Sequence, residues 1–86
     1  MPKCDKLLEK ARDNPGGLSF MDVIALAECF DFEHARTSGS HHLFKRPGRI
    51  GLLNFQSRRG MAQAYQVRQL LHAIDELRET GEDHGP

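Results

Sequence analysis

Apolar residues spaced three or four positions apart occur in three segments of the chain, and this spacing predicts amphipathic helices. Ser19 precedes the second segment as an N-cap, and Asp22 occupies the capping-box position three residues later. Asn14-Pro15-Gly16-Gly17 breaks the pattern between the first two segments. The predicted helices cover residues 3–13, 20–30 and 65–78.

Between the second and third helices the pattern changes to short runs of extended character separated by glycine turns. Ser38-Gly39 has the form of a two-residue hairpin loop, and Pro47-Gly48 supplies the next turn. The predicted strands cover 32–37, 40–45 and 50–56, and a loop is predicted at 57–64. The expected fold is therefore α+β, in the order α-α-β-β-β-α, with a three-stranded antiparallel meander packed on helices.

The length of 86 residues allows one small domain. We divide the chain into an N-terminal helix and Pro/Gly linker (1–18), a main domain (19–79) and a flexible tail (80–86). Cys4 and Cys29 lie in apolar helical patterns without paired spacing, which favours free thiols in a reducing compartment. The chain has no apolar run of membrane-spanning length and no signal-peptide pattern, so a cytoplasmic location is expected.

Charge is segregated along the chain although the formal net charge is zero. Residues 34–74 contain seven Lys or Arg residues and no acidic residue, giving +7, while the flanking segments together carry −7. A basic middle segment of this kind indicates a surface that meets polyanions. The alternative is a chance cluster of solvated arginines.

Two adjacent histidines lie in the predicted second strand. Because side chains alternate along a strand, His41 and Lys45 share one face, and His42 and Phe44 share the other. Phe44 is the largest apolar group in this strand, so its face is expected to pack on the helices. His42 is then expected to be partly buried and hydrogen-bonded. His41 and Lys45 then point outward, although Leu43 leaves the opposite assignment open.

An exposed histidine among cations suits metal-independent RNA cleavage. Such cleavage needs a proton acceptor at the ribose 2′-hydroxyl, a proton donor at the leaving 5′-oxygen and cations at the phosphate. The alternative is that His41 is a surface residue without a task and His42 fills the core. Adjacent strand residues point to opposite faces and cannot readily share one ion, so no metal and no cofactor are expected.

Three stretches together resemble the HicA family of bacterial toxins: GSHHLFKRPG at 39–48, LLNFQ at 52–56 and YQVRQLLHAI at 65–74. The resemblance spans about residues 19–75, which makes 19–79 a HicA-like domain. It implies a fold like that of double-stranded-RNA-binding domains and an endoribonuclease activity on mRNA. It also implies neutralisation by a HicB-like antitoxin, through which oligomers can form. From the lack of a long apolar run, no membrane association is expected.

The resemblance places the catalytic histidine at His41, with His42 as the alternate. Candidate contacts to RNA phosphates are Lys45, Arg46, Arg49, Arg58 and Arg59. The chain differs from the family pattern in its extra N-terminal helix and in the form of the loop at 57–64. The competing hypothesis is a non-catalytic module that binds RNA or an acidic protein through the same basic surface.

Overall fold

The computed structural model describes residues 2–79. The chain forms α1 (Pro2–Asp13), a 3₁₀ turn (Pro15–Gly17), α2 (Phe20–Cys29), β1 (Glu33–Ser38), β2 (His41–Lys45), β3 (Leu53–Arg58), β4 (Met61–Ala62) and α3 (Ala64–Glu79). The α+β class and the order of helices and main strands are confirmed. The prediction of three strands is wrong by one, because β4 adds a fourth. The predicted tail at 80–86 lies outside the described residues.

Helix α2 begins where the capping pattern predicts. The Ser19 Oγ accepts a hydrogen bond from the backbone N–H of Asp22, 3.1 Å away. This bond satisfies one of the N–H groups that lack a partner in the first turn of a helix. The N-terminus of α2 is thereby fixed, and Phe20 in its first turn reaches the sheet, as described below.

The four strands form an antiparallel meander in the order β1-β2-β3-β4. The loop between β1 and β2 is Gly39-Ser40, one residue later than predicted, so Ser38 pairs with His41. Gly39 has φ +60°, at the first of the two loop residues, where a type II′ hairpin turn favours glycine. The shift does not change which face each residue of β2 occupies, because His41 still pairs with Gln56 and His42 with Phe55 of β3.

A β-bulge in β1 determines which residues of that strand face outward. His34 pairs with Phe44, but the next pair is Arg36 with Leu43, so Ala35 is the extra residue. Without the bulge, Arg36 would lie opposite His42 on the packed face; with it, Arg36 shares the outer face with Leu43. The sequence pattern gave no sign of this insertion.

The segment predicted as a loop at 57–64 is instead a tight hairpin. Strand β3 continues to Arg58, and Arg59-Gly60 forms a two-residue turn in which both residues have positive φ, 53° and 81°. Two positive φ values are the signature of a type I′ turn. Backbone bonds then attach this hairpin to α2 and its approach: the Phe20 N–H donates to the Gly60 carbonyl (2.9 Å), and the Ala62 N–H donates to the Leu18 carbonyl (3.0 Å).

The helices cover one face of the sheet and form a single apolar core with it. Phe55 of β3 is 1% exposed, whereas Tyr65 in the first turn of α3 is 54% exposed. Gln66 is the one polar residue in the buried set of the described chain, and its Oε1 accepts the backbone N–H of Gln56 at 2.8 Å. This bond ties α3 to β3 from beneath the sheet.

The two cysteines form a disulfide between Cys4 in α1 and Cys29 at the end of α2, with a Cα–Cα distance of 6.0 Å. The prediction of two free thiols is wrong, and the inference of a reducing compartment drawn from it does not stand. The error arose because spacing of 25 residues in sequence says nothing about which helix ends meet in space. Within the described chain, no helix has the length and apolar character needed to cross a membrane.

Candidate nucleic-acid interface

The sheet has an outer face that the helices do not cover, which we call the open face. Directly paired residues of neighbouring antiparallel strands share a face, so the register defines its members. They are Glu33, Arg36 and Ser38 on β1, His41, Leu43 and Lys45 on β2, Asn54, Gln56 and Arg58 on β3, and Met61 on β4. Polar and basic residues predominate, which is unusual for a surface that packs on protein and suitable for one that meets a polar polymer.

His41 is exposed on the open face, at the beginning of β2. Its Nδ1 lies 2.8 Å from the side-chain Nδ2 of Asn54 on β3. Its Nε2 has no hydrogen-bond partner among residues 2–79 and is the nitrogen available to a ligand. The predicted orientation of His41 is therefore correct, while its bond to Asn54 was not anticipated, because Asn54 lies thirteen residues away in sequence.

His42 points to the opposite face and is half-buried. Its ring centroid lies 5.0 Å from that of Phe20. The Thr37 hydroxyl lies 3.3 Å from His42 Nδ1 and 2.8 Å from His34 Nε2, so one hydroxyl connects two imidazoles. His42 thus has the partly buried, hydrogen-bonded environment predicted for it, and His34 is a neighbour that the sequence argument did not identify.

Three of the predicted phosphate contacts lie where RNA on the open face could meet them. Lys45 is exposed on β2, and Arg58 and Arg59 are exposed at the β3–β4 turn. The bulge at Ala35 adds Arg36, which the sequence argument had counted only as part of the basic segment. None of these four cations has an ion-pair partner within the described part of the chain.

Arg46 and Arg49, by contrast, are engaged by the protein itself, and their contact with RNA stays a prediction. The Arg46 side chain is 11% exposed, donates from Nε to the Phe30 carbonyl (2.8 Å) and lies 3.8 Å from the Asp31 carboxylate. Arg49 lies over the Phe32 ring and 3.9 Å from the Glu76 carboxylate. Arg46 attaches the β2–β3 connection to the segment that follows α2, and Arg49 attaches it to Phe32 and to α3. Both arginines follow the end of β2, where the alternation of a strand no longer applies.

The charge of the open face is asymmetric. Its one acidic residue, Glu33, pairs with Lys45 at one end of the sheet. His41 lies four residues away along β2, roughly 13 Å at the usual strand rise. The end that carries His41 and Arg58 is therefore the more positive. Among residues 2–79 there is no group of three or more His, Cys, Asp or Glu residues arranged to hold a metal ion.

Comparisons with protein-family models, with curated proteins and with solved structures returned no match to this chain. The assignment of function therefore depends on the geometry of the open face and on the motif resemblance described above.

Proposed function

We propose that the protein is a metal-independent endoribonuclease toxin that cleaves mRNA with His41. The observation that carries the proposal is the exposed imidazole of His41, held through Nδ1 by Asn54 and free at Nε2, on a face with unpaired cations. A histidine exchanges protons at neutral pH, and the neighbouring Lys and Arg residues suit a phosphodiester.

The chemistry follows from those groups. His41 Nε2 takes the proton of a ribose 2′-hydroxyl, and the 2′-oxygen attacks the adjacent phosphorus. The bond from phosphorus to the 5′-oxygen breaks, and that oxygen receives a proton from the imidazolium or from solvent. The products are a 2′,3′-cyclic phosphate and a 5′-hydroxyl. Lys45, Arg36 or Arg58 offsets the negative charge that develops on the phosphoryl oxygens.

RNA binding by this surface is electrostatic. The open face is only slightly aromatic in character, since Phe44 and Phe55 are buried and Tyr65 lies outside it, so bases have few rings on which to stack. We therefore propose weak sequence preference on single-stranded mRNA. Neutralising four phosphates, one each by Arg36, Lys45, Arg58 and Arg59, predicts that log K falls with log[salt] at a slope of about −3.

The resemblance to HicA toxins supports the biological part of the proposal: a domain like those that bind double-stranded RNA, acting in the cytoplasm and neutralised by a HicB-like antitoxin. An acidic antitoxin that covers the open face would place carboxylates against Arg36, Lys45 and Arg58. Expression of the chain alone is expected to stop growth. Coexpression of a small acidic protein encoded beside it is expected to restore growth, and continued arrest under coexpression would contradict this part.

The second candidate is a non-catalytic module that binds RNA or protein through the same face. It is favoured by the two amide side chains, Asn54 and Gln56, on the strand β3 next to His41, because amides are common hydrogen-bonding groups in recognition surfaces. The two candidates agree on binding and differ only in whether a phosphodiester is broken.

A cleavage assay separates them. The purified protein is incubated in EDTA with an end-labelled single-stranded RNA of mixed sequence, and the new ends are identified by mass spectrometry. We expect cleavage by the wild type, a loss of about 100-fold or more for His41→Ala, and wild-type activity for His72→Ala, an exposed histidine on α3. Circular dichroism confirms that each variant is folded.

Two outcomes would overturn the proposal. Salt-sensitive RNA binding without cleavage by the wild type would leave the binding module. Cleavage that persists in His41→Ala but is lost in His42→Ala would move the chemistry to the opposite face, where His34 and His42 share the Thr37 hydroxyl.

A further inference from the structure

Asn54 has an unusual hydrogen-bonding environment. Its side-chain Nδ2 lies 2.8 Å from His41 Nδ1, while its Oδ1 is buried and has no hydrogen-bond partner among the described residues. Buried polar atoms are almost always paired, so an orphaned carbonyl oxygen beside a candidate catalytic histidine requires an explanation.

Rotation of the Asn54 amide group explains the unpaired oxygen. An asparagine side chain carries a donor and an acceptor that exchange places when the amide rotates by 180°. Because Oδ1 makes no other bond, this rotation breaks no hydrogen bond except the one to His41, which it replaces. After rotation, Oδ1 faces Nδ1 and can accept a hydrogen bond from Nδ1 when that nitrogen carries a proton.

His41 needs these two kinds of partner at different stages. When Nε2 carries the proton of the neutral ring, Nδ1 is an acceptor and the Asn54 Nδ2 donates to it. When Nδ1 carries a proton, either in the other neutral tautomer or in the imidazolium, it needs an acceptor, and Oδ1 supplies one. The tautomer with Nδ1–H leaves a lone pair on Nε2. Nε2 needs this lone pair to accept the proton of the 2′-hydroxyl.

We propose that Asn54 is the positioning residue for His41, keeping Nδ1 bonded in every protonation state so that Nε2 alone meets the RNA. The inference rests on the proposed nuclease function and adds to it a residue that lies in the LLNFQ stretch but has no role in the resemblance or in the charge pattern. Asn54 does not itself contact the reacting atoms in this scheme. It determines which nitrogen reacts and holds the ring as its charge changes.

Kinetics provide the first test. Asn54→Ala is expected to lower kcat by roughly 10- to 100-fold, the effect of losing one hydrogen bond to a charged group, and to change KM by less than about twofold. Asn54→Asp offers only an acceptor and a negative charge, which favours the imidazolium. The pH at which cleavage by Asn54→Asp reaches half its maximum is therefore expected to rise by about one unit.

Gln56→Ala is the matched control, because Gln56 pairs with His41 in the sheet while its amide donates to the Ser40 hydroxyl instead of an imidazole. This variant is expected to keep the wild-type shape of the pH profile. An Asn54→Ala variant that cleaves like the wild type, or a Gln56→Ala variant that shifts the profile as Asn54→Asp does, would overturn the assignment.

A second readout does not depend on activity. The ¹⁵N NMR signals of the His41 ring report which nitrogen carries the proton, and we expect them to change between wild type and Asn54→Ala while those of His72 stay in place. Unchanged His41 signals would overturn the positioning role even if the wild type cleaves RNA. Changed signals in a protein that cleaves no RNA would leave the contact supported and the nuclease proposal refuted.

Discussion

The disulfide between Cys4 and Cys29 is expected to supply a large share of the stability of this small domain. It closes a loop across a sequence separation of 25 residues. For a loop of that length, the chain-entropy model gives about 3.5 kcal/mol of stabilisation through restriction of the unfolded chain. Domains of this size commonly have total stabilities of only about 5–10 kcal/mol. Loss of the bond is therefore expected to lower Tm by roughly 15–25 °C.

Urea unfolding followed by circular dichroism measures this contribution. The wild type is compared with and without a phosphine reductant, and a Cys4→Ala/Cys29→Ala double variant is measured under both conditions. We expect the reductant to lower the unfolding midpoint of the wild type to near that of the double variant and to leave the variant unchanged. Equal midpoints for oxidised and reduced wild type, with alkylation showing two thiols in both, would refute the disulfide and the estimate together.

The result also bears on where the protein works. In a reducing compartment such as the one proposed, Cys4 and Cys29 would tend to be thiols. The fold would then depend on the burial of Leu7, Leu8 and Ala11 of α1 against the core. Measurement of the reduced protein therefore tells whether the open face is stably presented under the conditions in which mRNA would be met.

Three further predictions follow from single contacts. Gln66→Leu is expected to destabilise the fold by about 1–3 kcal/mol in urea unfolding, because the backbone N–H of Gln56 loses its acceptor; an unchanged midpoint would contradict this. Arg59→Asn is expected to stabilise the fold by about 0.5–1 kcal/mol, since Asn tolerates positive φ. It is also expected to reduce the salt slope of RNA binding by about 0.7, because one cation is lost. A lower urea unfolding midpoint for this variant would contradict the positive φ of Arg59 in the turn. A hydrogen bond from Arg12 holds the pKa of Asp75 below the ordinary 3.8. This exposed pair therefore stabilises the fold at neutral pH by about 0.2–1 kcal/mol. The contribution is lost as the pH falls through the lowered pKa of Asp75. Arg12→Ala should therefore flatten the acid limb of the stability curve, and an unchanged limb would exclude this contribution.

The helices were predictable because their signals are local. Apolar spacing set all three within a few residues, and Ser19 marked the start of α2 in the same way that its hydroxyl caps the helix in the structure. The faces of β2 were predictable for a similar reason. Phe44 is large enough to decide which side is buried, and alternation then places His41 on the other side.

The remaining features depend on contacts between distant segments. The bulge at Ala35 lies in a strand pairing that runs from Glu33–Lys45 to Ser38–His41, and no residue pattern in β1 predicts it. Arg59 adopts a positive φ against its own preference, so the hairpin it forms with Gly60 resembled a loop in sequence. Charge alone places Arg46 and Arg49 on the polyanion surface, whereas the Phe30 carbonyl and the Asp31 and Glu76 carboxylates, all distant in sequence, hold their guanidinium groups.

The proposed function depends on the pairing register of β2, because His41 and His42 are adjacent and lie on opposite faces. A slip of one residue in β2 would exchange the faces of His41 and His42. His41 would then meet Phe20 and the Thr37 hydroxyl, and His42 would meet Asn54. These two sets of partners differ chemically. Phe20 and the Thr37 hydroxyl favour a fixed, half-buried imidazole. The Asn54 amide, which can donate or accept a hydrogen bond after rotation, suits an imidazole that gains and loses a proton. The pairing of Ser38 with His41 at the Gly39 turn and of Phe44 with Leu53 at the other end of the strand holds the register. The backbone geometry of those two ends therefore determines which of the two histidine side chains lies on the open face.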